Sequence, residues 1–430
     1  MIKLYQRELL FYILLIIECN LLKLVLSECI NNLTKNKQNH GNEIIKNNID
    51  INSIEIITDN VLKNKDENSI VYKSENIPIK FWKEDKKEEL KDNFNNQLLN
   101  ETVHTSTYSS INFSFYNQLS EKEKKIYNKI YTESNKSPPE VNINMTVIVK
   151  THINKYIEKL SESAERVFTA LAYENPELWW IGNYQILIYQ TAVENKYNLL
   201  FLTLPEGSIF ENYSPVTISE YSKRIENVKN EIMDQISNQT LTTDYAIMRF
   251  VHDYLIIKIQ YILDESLDHI RTVYGALVDN ICVCEGYAEA FQYIVSKYGI
   301  NCIIARSSTH EWNFVQMNDK WYIVDVTYDD PIKKGINKPQ GSADNLQTQY
   351  FLIGTNHKFK NGNRYSDESD HVLVYSAYSD LIIIDYPEIE SSDYIPSELE
   401  IEELNLIDLS NIITGKKKIK KKKKKKKTYI

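Results

Sequence analysis

Three residues of different chemistry, Cys284, His310 and Asp325, stand 26 and 15 residues apart, each in its own local pattern. Cys284 opens the run C-E-G-Y-A-E-A-F-Q-Y-I-V-S-K-Y-G, in which Ala288, Phe291, Ile294 and Val295 recur at helical spacing and Gly299 supplies the stop. The spacing therefore predicts a helix that begins at the cysteine. A helix N-terminus favours negative charge, and with a protonated imidazole nearby it can lower a thiol pKa from about 8.5 to roughly 3.5–7.5. The expectation is a thiolate nucleophile at Cys284.

His310 lies in H-E-W-N-F-V-Q-M and Asp325 in K-W-Y-I-V-D-V-T-Y, two segments that alternate apolar and polar residues as strands do. Between them M-N-D-K, Met317 to Lys320, is turn chemistry suited to a hairpin. With Gln316 near one strand end and Trp321 near the other, antiparallel pairing brings His310 and Asp325 close together at the far end. An imidazole beside a carboxylate, facing a thiol, is the arrangement of a general base, its orienter and a nucleophile. The backbone N–H of Cys284 is the natural oxyanion donor.

The three stretches C-x-G-Y-A-x-A-F, H-x-W-N and W-Y-x-V-D-x-T-x-D-D-P, in this order and separation, resemble the core of the transglutaminase-like superfamily. The resemblance implies an α+β, papain-like fold in which a helix carrying the Cys packs on an antiparallel sheet carrying the His and Asp. It implies catalytic roles for Cys284, His310 and Asp325, with no cofactor. The stretches A-Y-E-N-P-E-L-W-W and Y-N-Q-L-S-E-K-E-K-K-I-Y are similar to the N-terminal extension of microbial members. Family chemistry is acyl transfer through a thioester, to water in a peptidase or amidase and to a lysine amine in a crosslinking enzyme. The Trp that serves transglutaminases upstream of the Cys has no match in this chain, so hydrolysis is expected ahead of crosslinking. A non-catalytic binding module with a vestigial triad is the third reading.

The elements that would position these residues start near residue 115. Ser120 and Glu123 form a capping box for a helix with Ile126, Tyr127 and Ile130 on its apolar face. A short strand is expected from Met145, a helix over 153–173, and a hairpin from the runs at Tyr184 and Tyr197. Helices are expected over 219–236 and 244–259, and a strand from Tyr350. Trp179 and Trp180 read as core or cleft wall. His252 reads as a helix-surface or packing residue, and His371 as an exposed structural one.

Of the 430 residues, 1–27 carry the positive start, short apolar core and small residues of a signal peptide, with a membrane anchor as the alternative. Residues 28–114, rich in Asn, Lys, Glu and Ser, read as a disordered linker; 115–385 as the domain; and 386–430 as an acidic, then lysine-rich, disordered tail. A secreted location follows, with no membrane span after processing, and the sequons at Asn32, Asn100, Asn112, Asn135, Asn144, Asn212 and Asn238 fit a glycoprotein. The net charge of −9 argues against nucleic acid as partner; the family resemblance implies a protein or peptide substrate, cell-wall or extracellular. Five cysteines are too few for a disulfide framework. Cys282 could pair with Cys302, or transiently with Cys284, and the Cys282-x-Cys284 spacing is not that of a zinc knuckle, so no metal is expected.

Overall fold

Hydroxyl side chains mark where most helices of this chain begin. The computed structural model describes residues 54–58, 61–66, 69–80, 113–150, 152–330, 341–376, 383–410 and 412. The signal-peptide segment, the lysine run and the sequons at Asn32, Asn100 and Asn112 lie outside these residues. Strands β1 (Ile54–Ile57), β2 (Ile70–Lys73) and β3 (Ile77–Pro78) come first, followed by helix α1 (Glu121–Ser134), strand β4 (Asn142–Val149) and helix α2 (Ile153–Glu174). Next come strands β5 (Asn183–Gln190) and β6 (Lys196–Leu202) and helices α3 (Pro215–Asn238) and α4 (Asp244–Lys258). Short strands β7 (Gln260–Tyr261) and β8 (Ile281–Cys282) lead into helix α5 (Cys284–Val295). Strands β9 (Cys302–Arg306), β10 (Glu311–Met317), β11 (Lys320–Val324) and β12 (Phe351–Ile353) precede a last helix, α6 (Glu398–Leu404). The chain is thus α+β, with helices and antiparallel sheets.

Ser120 caps α1 in the reciprocal capping box read from the sequence. Ser214, Thr243 and Ser397 accept backbone N–H bonds at the starts of α3, α4 and α6. Helix α3 begins four residues earlier than its apolar period suggests. Pro215 sits in its first turn, where a missing N–H costs nothing.

One sheet runs β1-β4-β6-β5-β2, with β3 also paired to β5. Its centre is the expected β5–β6 hairpin, Gln185 opposite Leu202 through Gln190 opposite Tyr197. Strands β1 to β3 correct the reading of 28–114 as a linker without structure, because residues 54–80 add strands to this sheet. The described residues of the assigned tail differ from expectation too: α6 is capped by Ser397 and tied to the domain. Glu403 of α6 accepts the Thr242 and Thr243 backbone N–H groups at 2.9 and 2.8 Å, at the start of α4.

The second sheet is antiparallel, in the order β12-β11-β10-β9. Its β10–β11 hairpin pairs Gln316 with Trp321 and Met317 with Lys320, and the turn residues Asn318 and Asp319 both adopt positive φ (51° and 62°). That is the tight turn whose twist matches its strands, which Asn and Asp tolerate. Helix α5 packs against β9 and β10 and is buried along its whole length. Its polar residues Glu285, Glu289 and Gln292 recur at i, i+4 and i+7, so a single stripe must find partners inside the protein. Glu289 pairs with Lys80 (2.7 Å) and the Val273 N–H (3.0 Å), and the Gln292 amide donates to the Tyr173 and Cys302 carbonyls.

Trp179 and Trp180 are core residues; the Trp179 indole donates to Ser222 Oγ at 3.0 Å. Among the described residues no helix is long and apolar enough to cross a membrane.

Because Glu403 is a buried cap held well below its usual pKa, at about 2, by the Thr242 and Thr243 donors against the opposing effect of burial, Glu403→Gln should cost about 1–3 kcal/mol in urea unfolding at pH 7. Its folded pKa is depressed, so the wild-type contribution should be present above about pH 4.5 and fade toward pH 2. An unchanged unfolding midpoint would mean that α6 is not part of the cooperative domain.

Candidate active site

Cys284 is the first residue of α5, and Val283 before it provides no side-chain cap. The leading N–H groups of that helix, including that of Cys284, therefore lie outside the helical ladder. Gly286 explains why the helix can start here: a Cβ at that position would stand 2.5 Å from the Cys282 Cβ and 3.1 Å from the Thr272 carbonyl. The Cys284 thiol is buried, 3.1 Å from Glu285 Oε2 and against the backbone N–H of Glu311. Glu311 is the residue after His310, so the thiol touches the strand one residue beyond the imidazole.

His310 stands just before β10 and Asp325 just after β11, at adjacent strand ends. His310 Nε2 lies 2.6 Å from Asp325 Oδ2. A carboxylate only accepts, so Nε2 carries the proton and Nδ1 is left as the basic nitrogen of the neutral ring. The ring is stacked between Trp312 and Tyr328, with centroids 5.7 and 4.8 Å away. Asn313 donates to the Ala288 carbonyl of α5 at 3.1 Å and so fixes the strand against the helix.

The surroundings of Asp325 hold what the sequence reading missed. His371, expected to be exposed, is buried, with Nε2 2.9 Å from the same Asp325 Oδ2 and Nδ1 3.1 Å from Glu368 Oε2. The other carboxylate oxygen of Asp325 accepts the Tyr328 N–H at 3.0 Å. Against the cost of burial, the two imidazoles hold the Asp325 carboxyl far below its ordinary range. Burial disfavours a charged His371, yet Asp325 and Glu368 outweigh it and raise the imidazole to about 9. His310, Asp325 and His371 are the one group among the described residues with convergent ligand-type atoms, all within 4.8 Å. The 2.6 and 2.9 Å contacts are proton-bridged spacings, shorter than the roughly 3.3 Å between two ligands on one tetrahedral ion with bonds of about 2.0 Å.

The thiol reverses the electrostatic expectation. Burial first, then the neighbouring Glu285 and Glu311 carboxylates, push Cys284 well above the ordinary thiol value, and the Glu311 N–H only partly offsets them. The thiol form of Cys284 is thus favoured: burial outweighs the helix N-terminus, and the two buried acids beside the sulfur add to that effect. Glu285 is itself bound by Arg271, and Arg306 holds Glu311 at 3.0 Å. Burial outweighs Arg306 and lifts Glu311 to about 7.

Tyr261 is a further residue that the sequence did not point to. It pairs with Cys282 across β7 and β8, and burial followed by the nearness of Cys284 keeps its phenol protonated. The remaining motif residues are structural. Asp329 accepts the Gln349 N–H (2.7 Å) and faces His252 Nε2 (3.0 Å), and Tyr287 donates to Asp330 at 2.8 Å. His252 is fully buried between Asp253 and Asp329 rather than on the helix surface. Cys282, Cys284 and Cys302 are free thiols, so the Cys282–Cys302 disulfide that the sequence allows is not formed.

No family model matches the chain, and no curated protein matches it. A solved structure described as "Crystal structure of a TGase" is similar over 54% of this chain and 64% of that one, at 10% identity and a TM-score of 0.23. The aligned part is under two thirds of that structure's length.

The rate of iodoacetamide alkylation at Cys284, read by peptide mass spectrometry on the full chain, should rise only above the ordinary thiol range near about pH 8.5. Glu285→Gln should move that rise to lower pH. A fast wild-type rate that persists at pH 5–6 would contradict the buried-thiol electrostatics.

Proposed function

We propose that this protein is a transglutaminase-like, thiol-dependent acyl-transfer enzyme with Cys284 as nucleophile, His310 as base and Asp325 as its orienter. The observation that carries the reading is the 2.6 Å His310–Asp325 contact, which leaves Nδ1 basic beside the strand residue whose N–H touches the Cys284 thiol. In this scheme the Cys284 proton passes to His310 Nδ1 as the thiolate attacks the acyl carbon of an amide. The C–N bond breaks, the leaving amine takes the proton from His310, and a thioester remains on Cys284. Water, deprotonated by His310, then releases the acid and the thiol. The Cys284 N–H and the Tyr261 hydroxyl, a neutral donor on the neighbouring strand, serve the developing oxyanion.

A resting thiol suits this sequence of steps, because proton transfer accompanies attack instead of preceding it. Hydrolysis is the favoured outcome, and the substrate class is a protein or peptide amide. Burial of Cys284 is the observation that favours the second reading, transfer to a lysine amine, since a site that excludes water protects a thioester for that acceptor. The four sequon residues among the described ones, Asn135, Asn144, Asn212 and Asn238, are all exposed, which supports a secreted glycoprotein acting outside the cell.

With a glutamine-containing peptide and a labelled primary amine, wild type should release ammonia without incorporating the label. Cys284→Ala and His310→Ala should abolish release, Asp325→Ala should leave a residue of it, and Tyr261→Phe should slow it about 100-fold. Label incorporation would replace hydrolysis by amine transfer, and undiminished release in Cys284→Ala would end the proposal.

A further inference from the structure

Among the described residues, His371 is a buried titratable group that touches Asp325 but has no part in the proposed reaction steps. Its two ring nitrogens both face carboxylate oxygens, Asp325 Oδ2 at 2.9 Å and Glu368 Oε2 at 3.1 Å. Nε2 donates to Asp325, while Nδ1 lies near Glu368 Oε2 without hydrogen-bond geometry, and two carboxylates within about 3 Å of one ring favour its charged form. The raised His371 pKa agrees with that geometry. The ring stands edge-on to His310 with centroids 5.3 Å apart, and both rings claim the same oxygen of Asp325.

We infer that His371 is a positioning residue whose fixed positive charge, shared through Asp325, lowers the proton affinity of His310. The inference rests on the reading of His310 as the base. A lone buried carboxylate beside an imidazole would hold it protonated, and a protonated base cannot take the thiol proton. With His371 on the same oxygen, Asp325 is already largely neutralised. It can still fix the His310 tautomer without capturing the ring as a cation.

The groups that face His371 are Asp325, Glu368, His310, Tyr328, Tyr350 and Tyr365. The three phenols are all pushed above their usual value, chiefly by burial, and stay neutral across the range that matters. Tyr350 donates to Glu368 at 2.9 Å and so supports the second carboxylate. Tyr328 donates to Asp370 at 2.7 Å. On the other side of His310, Glu311 is paired with Arg306 and has its own transition at about pH 7, which is common to wild type and to a His371 variant. The comparison between the two therefore isolates His371.

The test is an NMR pH titration of the full chain carrying ¹³C-labelled histidine, with resonances assigned from single His variants. In wild type His371 should remain protonated until about pH 9. In His371→Gln, which keeps a neutral donor toward Asp325, the His310 midpoint should rise by about two pH units, as expected for loss of a unit charge roughly 5 Å away at an effective dielectric near 20. The acid limb of amide release should rise with it. An unmoved or lower His310 midpoint, or a wild-type His371 that titrates near its ordinary value, would overturn the inference. Should His371→Gln fail to fold, Glu368→Gln reads the same charge: His371 should then titrate well below 9, and an unchanged His371 midpoint would count against it. The NMR midpoints do not require turnover, so a failure of the acyl-transfer reading, seen as undiminished release in Cys284→Ala, is separable from a failure of this one.

Discussion

A fully buried carboxylate that stays ionised is the constraint on which this site depends. Asp325 has no solvent to stabilise its charge, and isolated burial of a carboxylate is costly enough that it would normally take up a proton. Three donors prevent that: the Tyr328 N–H on one oxygen, and His310 and His371 on the other. Each donor comes from a different part of the chain, so the hairpin, the turn after β11 and the loop at 365–371 must all be in place together. The ion pair thus reports on the fold, and the fold fixes which nitrogen of His310 is basic.

The other side of the site is set by packing. Helix α5 is buried on every face, which leaves its start little freedom, and Gly286 allows that start to press against Cys282 and Thr272. Burial of this kind has an electrical consequence. The same closeness that fixes Cys284 also places it beside Glu285 and near Glu311, and those charges matter more than the helix end. On the proposed reading, activation of this buried thiol is coupled to proton acceptance by His310.

Local signals made much of this visible in the sequence. The helix beginning at Cys284 follows from apolar spacing, and the β10–β11 hairpin from alternation on both sides of Asn318-Asp319, both of which are short-range properties. His371 was hidden because its partner lies 46 residues away and its own segment is an irregular loop without periodicity. The strands within 54–80 were hidden for a similar reason: they are two to four residues long and gain their hydrogen bonds far along the chain, β1 from β4 and β2 and β3 from β5. Glu403 looked like part of an acidic run, and only its distant bond to the start of α4 makes it a cap. The sign of the Cys284 shift depends first on how fully the fold buries the thiol and then on the Glu285 and Glu311 carboxylates beside it, which composition and spacing do not encode.

The central claim is that Cys284 accepts an acyl group with the help of His310. The direct measurement is the intact and peptide mass of the full chain after brief exposure to p-nitrophenyl acetate near neutral pH. A single acetyl group on Cys284, absent in Cys284→Ala and greatly reduced in His310→Ala, is the predicted result. Acetylation confined to other residues, or equal labelling of Cys284 with and without His310, would contradict the account.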